Sequence, residues 1–251
     1  MNARAIRLVI WREILIATRT MRSALSALLT VFMAASILAS VAYLASLFSP
    51  NVPSISFLYT FIAGLALSLA LVFIAVLQVS SVFSREYERR VHELLYISPI
   101  DTLSLVVGKS IAALIQVMFL YMPLIGVFAV ALWLYLGLSI DAVSMVLLVM
   151  AHLATLTSIT VTVVLCSLLC RRDLTSVVCS TVALYILMGL GNVESVGYLS
   201  PFTFVNRFSR AVLDGSISLV DVGAFVFVCF YIILLVAAMV ILLDRRRAYI
   251  L

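Results

Sequence analysis

The most concentrated run of charge in this 251-residue chain begins at Ser84 and continues to Lys109. Its first part, residues 84–97, mixes acidic, basic and apolar side chains and lies between two long apolar runs. The chemistry that such a segment offers is recognition of a soluble partner. Exposed ion pairs contribute only about 0–1 kcal/mol each, so an apolar anchor must supply much of the affinity. We expect 84–97 to be a docking helix that uses the following side chains: Glu86, Glu88, Arg89, Glu93, Leu94 and Leu95.

Residue types that carry catalysis or bind metals are sparse and scattered. His92 and His152 are far apart in the sequence, and none of the four cysteines has Cys-x-x-Cys spacing, so no metal centre or disulfide is predicted. The Gly-Lys-Ser at 108–110 resembles the end of a phosphate-binding loop, but the glycine that such a loop needs five residues earlier is Leu103. We therefore expect no enzyme activity and no cofactor in this chain itself.

One apolar run carries a mildly polar face. At about 100° per residue, four polar side chains fall within about 120° of one another on a helix over 142–169. They are His152, Thr155, Ser158 and Thr162. Two interpretations are open: side chains that bond back to their own helix or bridge neighbouring helices, or one wall of a translocation path. The apolar runs carry no clearly central Asp, Glu, Lys or Arg, which ion-coupled carriers usually place there.

The elements that must position these residues are membrane-spanning helices. Hydrophobic residues make up 65% of the chain and charged residues 11%, whereas soluble domains have about 45–50% and about 25%. A span needs about 20 apolar helical residues. Six runs qualify, at roughly 24–48, 56–83, 103–136, 142–169, 174–190 and 219–243. The sequence thus predicts an all-α membrane protein, with one transmembrane domain over residues 1–251.

Residues 1–22 predict an amphipathic helix that lies in the plane of the lipid headgroups before the first span. Its arginines share one side, and its branched apolar residues share the other. Glu13 falls in the middle of the apolar side. Either Glu13 snorkels or pairs with a nearby arginine, or it makes a fixed contact with the 84–97 segment and helps to couple the two helices.

The basic residues predict the orientation. Of the 16 lysines and arginines, all but Arg207 and Arg210 fall on one side of the six-span arrangement. The positive-inside rule then places both termini in the cytoplasm of a multi-pass protein of the cell membrane. Residues 191–218 become an outer segment, either a re-entrant or interfacial helix or a stretch with aromatic anchors. The net charge of +5 lies at cytoplasmic membrane boundaries, so no nucleic-acid partner is expected.

The charged segment and its continuation contain residues in a recognisable order: Glu86, Glu88, Arg89, Glu93, Leu94, Leu95, Pro99, Gly108 and Lys109. This order resembles the first cytoplasmic connection in transmembrane subunits of type-2 (ABC-2) ABC exporters. That connection typically reads Glu-Arg-Glu-Arg-Gly-Thr-Leu-Glu-Leu-Leu, then Pro, then Gly-Lys. The departures from the pattern are Arg90, Val91 and His92. The Leu-Ser-Pro at 199–201, before the last span, is also similar to the family.

The resemblance implies a permease that pairs with a separate ABC ATPase, two copies of each. The second permease copy is then identical or related, membrane lipids surround both, and ATP and Mg²⁺ bind in the ATPase. Residues 84–97 would be the cytoplasmic coupling helix that docks in a groove of the ATPase. Two alternatives stay open: a membrane scaffold or mechanotransmitting subunit that uses the same ATPase without transport, and a secondary carrier or channel, which would need an intramembrane ion site.

Overall fold

The computed structural model describes residues 3–48, 54–88, 100–137, 139–191, 193, 197 and 200–248. Within these residues the regular structure is helical and contains no strand. The helices are α1 Ala3–Thr18, α2 Met21–Phe48, α3 Ile55–Leu58, α4 Leu65–Val79, α5 Ser84–Glu88, α6 Thr102–Leu136, α7 Ala142–Leu169, α8 Asp173–Leu190, α9 Pro201–Leu213 and α10 Leu219–Ala248, with a π-helix at Tyr59–Gly64.

Six helical stretches in the described part of the chain are long and apolar enough to cross a membrane. They are Met21–Leu47, Ala66–Glu88, Thr102–Leu136, Ala142–Leu169, Asp173–Leu190 and Leu219–Arg245. The predicted class, an all-α multi-pass membrane protein, is therefore confirmed at this level. The fourth stretch coincides with the predicted run, because polar or charged residues bound it at both ends.

The region of the second predicted span, 56–83, is not one continuous α-helix. A π-helix interrupts its first part, and α4 ends at Val79. The early end has a tertiary cause. The backbone N–H groups of Phe83 and Ser84 donate hydrogen bonds to Ser167 Oγ on α7, at 2.8 and 3.1 Å. A short turn therefore separates α4 from α5 and fixes both to α7.

Helices α6 and α7 form the centre of the bundle and begin at matching caps. The carboxylates of Asp101 and Asp141 accept hydrogen bonds from the backbone N–H groups of Ser104, at 3.2 Å, and Ser144, at 3.0 Å. The pKa of each aspartate is lowered, mainly by a hydrogen bond from the side chain of the same serine and to a smaller extent by the one from its backbone N–H. Helix α6 ends at Gly137, whose φ of +66° is a left-handed conformation that glycine adopts without steric cost.

The alternating directions of the long helices sort the connections between two ends of the bundle. We call the end that holds α1, the α4–α6 connection and the α7–α8 turn the α1 end. The opposite end, with α3, the α6–α7 connection and α9, is the α9 end.

The start of helix α9 lies inside the bundle. Thr155, about 20 Å along α7 from its start, donates a hydrogen bond from Oγ1 to the Pro201 carbonyl at 3.3 Å.

Candidate functional site

Four charged side chains from three helices meet beside α5 at the α1 end. Lys109 Nζ on α6 lies 2.7 Å from Glu86 Oε2 on α5 and 3.5 Å from Glu13 Oε1 on α1. Arg12 Nη1 lies 3.4 Å from Glu86 Oε1 and 3.9 Å from Glu13 Oε1. We call these four residues the charge cluster. It links the N-terminal helix, the start of the charged segment and the longest span.

Lys109 is the centre of the charge cluster because its side chain is fully buried, with 0% exposure. Its Nζ donates a hydrogen bond to the Val82 carbonyl at 2.8 Å and lies 4.5 Å from the centre of the Phe83 ring. Burying an ammonium group costs several kcal/mol unless close partners compensate. Here the two carboxylates, the carbonyl and the ring supply that compensation, so Lys109 is bound to α5 and α1 from inside the bundle.

The carboxylates are held more by charge than by hydrogen-bond direction. Glu13 Oε1 and Glu86 Oε2 are buried without a well-directed hydrogen bond, although both are within ionic distance of Lys109. A cavity of about 120 Å³ opens beside them, and Gln116 contributes to its lining. Because charge interactions strengthen as the local dielectric falls, small shifts of α1 or α5 change the energy of this cluster.

The sequence brings α1 against α6 through one side of each helix. Ala5, Val9 and Glu13, each four residues apart, are the buried residues of α1. On α6 the facing position is Gly108, where a Cβ atom would lie 3.0 Å from Val9 Cγ1. Glycine therefore permits the close approach that lets Glu13 reach the neighbouring Lys109.

A second set of contacts joins α5 to the start of α8. The Asp173 carboxylate pairs with Arg22, at 2.5 Å between Oδ2 and Nη2, and accepts a hydrogen bond from Ser84 Oγ at 3.4 Å. The Asp173 backbone N–H donates to Glu88 Oε2 at 3.4 Å. Nearby, Ser176 Oγ donates to the Ser80 carbonyl at 2.5 Å. Helix α5 thus contacts elements that lead into α2, α6, α7 and α8.

The predicted docking residues divide into two groups. Glu86 and Glu88 lie in α5: Glu86 faces the charge cluster, and Glu88 is exposed beside the start of α8. The remaining predicted docking residues, Arg89, Glu93, Leu94 and Leu95, lie outside the described residues, so their role stays a prediction. Glu13 is placed beside Arg12 and Lys109, both of which also contact Glu86.

The polar face of α7 is buried inside the bundle. His152 lies between two tyrosine hydroxyls: Tyr59 OH is 2.9 Å from Nε2, and Tyr121 OH is 2.8 Å from Nδ1. A neutral imidazole has one N–H and one acceptor nitrogen, so one tyrosine donates to the ring and the other accepts from it. These three side chains, which we call the His152 triad, join the π-helix to α6 and α7.

The other residues of that face are also buried and hydrogen bonded. Ser158 Oγ donates to the Thr155 carbonyl at 2.8 Å, and Thr162 Oγ1 donates to the Ser158 carbonyl at 2.8 Å. Thr162 Oγ1 also lies 3.1 Å from Tyr231 OH on α10. These are the bonds that the packing interpretation describes. A role of the face as the wall of a translocation path stays a prediction.

Sequence reasoning identified Glu13 and Glu86 but missed the role of Lys109 and Asp173. The signal for Lys109 was available: it is the one basic residue inside the long apolar run that became α6. A lysine in such a run needs a carboxylate or carbonyl partner. The contacts of Asp173 had no signal in the sequence, because its partners lie on other helices.

The histidines, cysteines and carboxylates in the described part of the chain form no group of three that could hold a metal ion. No protein-family model and no curated protein matches the chain. The six long apolar helices in the described part of the chain indicate a multi-pass helical membrane protein.

Proposed function

We propose that this chain is the permease subunit of an ATP-driven ABC transporter, an ABC-2 exporter energised by separate ATPase subunits. The charge cluster is the observation that carries the proposal. It connects the start of the segment that resembles a coupling helix with α1 and with the α6 span. A partner that moves residues 84–97 would pull directly on this buried contact.

The contacts of α5 suggest how such a movement would spread. Lys109 joins Glu86 to α6, Ser167 joins the preceding turn to α7, and Asp173 joins α5 to α8. Because separating a buried ion pair costs several kcal/mol, α5 and α6 should move together. Closure of the ATPase pair on ATP would then shift the balance between inward-open and outward-open arrangements of the spans.

The surface of α1 supports its proposed place in the membrane interface. Leu8 is 69% exposed and Trp11 63% exposed, and both lie away from the α6 contact. An apolar stripe with a tryptophan suits the boundary between lipid tails and headgroups. In this proposal the α1 end and both termini are cytoplasmic, and the α9 end faces outward. A second permease copy and membrane lipids cover further apolar surface, and ATP and Mg²⁺ bind in the ATPase.

The proposal is tested by co-expression with a candidate ABC ATPase subunit, followed by purification through a tag on the permease. The ATPase should co-purify with the wild-type chain, and Leu94→Asp should lose it while the permease remains monodisperse in detergent. Ser139→Asp, which adds the same charge at the α9 end, is the matched control. If the ATPase co-purifies with the Leu94→Asp variant as well as with the wild-type chain, 84–97 is not the docking site.

Flux measured in vesicles separates transport from its alternatives. ATP-dependent movement of a substrate supports the permease. ATPase association without any flux indicates a scaffold or mechanotransmitting subunit instead. Flux that follows a proton or sodium gradient and ignores ATP would indicate a secondary carrier.

A further inference from the structure

Two cavities at the α1 end of the bundle adjoin each other. The first is the cavity of about 120 Å³ beside the charge cluster. The second, of about 300 Å³, lies between α1, α4 and α6. Three side chains line both of them: Ala17, Gln78 and Gln116. We call the two together the joint cavity, with a polar part at the charge cluster and an apolar part beyond it.

The apolar part of the joint cavity opens toward the lipid. Its apolar lining consists mainly of Ile14, Ile115, Phe119 and Leu120. Phe119 is 81% exposed and Ile115 is 42% exposed, and both lie on a helix that is long and apolar enough to span a membrane. Leu120 lies about 6 Å further along α6 than Gln116. A chain of methylene groups can therefore enter here from the bilayer.

Gln78, in the last turn of α4, brings an unpaired acceptor to the junction of the two parts. Its Nε2 donates a hydrogen bond to Ser26 Oγ. Ser26 Oγ has carbonyl acceptors for its own proton, on Arg22 at 2.9 Å and on Ser23 at 3.1 Å. Ser26 therefore accepts from Gln78, which fixes the orientation of the amide. The Gln78 carbonyl oxygen receives no hydrogen bond from the described residues, although Gln78 is only 7% exposed.

Gln116 repeats this arrangement from α6. Its Nε2 donates to the backbone carbonyl of Glu13 at 3.4 Å. A carbonyl can only accept, so the Gln116 amide orientation is also fixed, and its own carbonyl oxygen has no donor among the described residues. Buried polar groups normally have hydrogen-bond partners. Two unpaired carbonyl oxygens on one cavity therefore indicate a ligand that donates hydrogen bonds.

The charges around the polar part favour an uncharged donor. The charge cluster contains two cations and two carboxylates, which balance each other. Arg22 pairs with Asp173, and Arg85 adds a positive charge to the lining, so no surplus of negative charge attracts a cation. A phosphate or carboxylate would place its oxygens against two amide carbonyls and the Glu13 carboxylate. A hydroxyl group donates to the amides without adding charge.

We propose that the joint cavity binds an uncharged single-chain lipid whose headgroup carries hydroxyl groups, of the monoacylglycerol type. The hydroxyls donate to the carbonyl oxygens of Gln78 and Gln116, and the acyl chain lies against Ile115, Phe119 and Leu120. A volume of about 300 Å³ is at the lower end of the range of small-ligand sites, about 300–1,000 Å³. It therefore suits one acyl chain better than two.

The inference does not rest on the proposed transport function, because binding is measured on the chain without an ATPase. The chain is placed in phosphatidylcholine nanodiscs that contain a monoacylglycerol with a diazirine in its acyl chain. After illumination, mass spectrometry should find the label on α1 and on α6 near Phe119, and unlabelled monoacylglycerol should compete with it. Competitors with the same chain but a methyl ester, a phosphate or an amine as headgroup should compete more weakly.

The decisive variants are Gln78→Leu and Gln116→Leu. Each removes one acceptor and should weaken competition by unlabelled monoacylglycerol about two- to ten-fold, the factor that corresponds to one neutral hydrogen bond. The matched control is Asn206→Leu, which removes an amide at the α9 end and should leave the competition unchanged. Unchanged competition in both glutamine variants, or an equal loss in the control, would overturn the proposal.

A filling variant keeps the test valid if the glutamine variants do not fold. Ala17→Leu adds apolar volume where the two parts meet and should abolish the labelling near Phe119. Ala237→Leu, at an exposed position of α10, is its control and should not. Labelling that survives Ala17→Leu would contradict the proposal. So would a methyl ester, phosphate or amine that competes as strongly as monoacylglycerol, because hydroxyl groups would then not be what the cavity recognises.

Discussion

Lys109→Met is the substitution that probes the charge cluster most sharply. Methionine fills a similar volume but removes the cation that lies 2.7 Å from Glu86 and 3.5 Å from Glu13. Arg12 would then be the remaining cation beside both carboxylates. Its side chain is 44% exposed, and its Nη1 lies 3.4 Å from Glu86 Oε1. Removing one partner of a buried ion pair costs about 3–5 kcal/mol. For a chain of this size that lowers the Tm by about 6–20 °C.

The assay is thermal unfolding in detergent, in a double-mutant cycle with Glu86→Gln. Each single variant should be destabilised, because each leaves a buried charge without its partner. Lys109→Met combined with Glu86→Gln should recover much of the loss, since replacing a buried ion pair by neutral groups is often nearly neutral. Arg171→Met, at an exposed arginine, is the control and should keep the wild-type Tm.

Two results would refute this reasoning. The first is a Tm for Lys109→Met that equals the wild-type value, which would mean that the cation does not stabilise its neighbours. The second is a double variant whose loss equals the sum of the two single losses, which would mean that Lys109 and Glu86 do not interact.

Three further predictions concern other parts of the bundle. Gly108→Ala should lower stability by about 1–3 kcal/mol through overpacking against α1, whereas Gly126→Ala on the same helix meets no atom within 4 Å and should not; paired melting curves compare them. His152→Leu should cost about 1–3 kcal/mol for each tyrosine hydroxyl left unpaired, and changing both tyrosines to phenylalanine as well should restore part of the Tm. The folded-state pKa of Asp141 is lowered, so its stabilising effect is present above the unfolded pKa and disappears as the pH falls through the folded pKa; Asp141→Asn, which keeps a capping side chain, should flatten that acid limb of Tm against pH.

The long helices could be predicted because their signal is local. A run of about 20 apolar residues can cross a membrane only as a helix or as part of a closed barrel. The predicted run 142–169 is one helix with the same first and last residues. Where the structure departs from the pattern, the cause is tertiary. The end of α4 at Val79 depends on the Ser167 hydroxyl, and Ser167 follows Val79 by more than eighty residues.

The candidate site was predictable only where its signal was local to one helix. Glu13 was conspicuous as a carboxylate on an apolar helix face, and such a residue needs a partner. The identity of that partner could not be read from α1, because Lys109 lies on another helix. The His152 triad was hidden more completely, since tyrosines are ordinary in an apolar run and only the fold brings Tyr59 and Tyr121 to the imidazole.

The central claim is that the charge cluster passes movement of the 84–97 segment to the spans. It is tested most directly by the distance between spin labels at Ser139→Cys in the two permease copies of the reconstituted complex, with and without ATP. We predict that ATP changes this distance in the wild-type complex. In the Lys109→Met, Glu86→Gln variant the ATPase should remain bound but the distance should stay constant. A distance that does not respond to ATP in the wild-type complex, or that responds equally in the variant, would contradict the account.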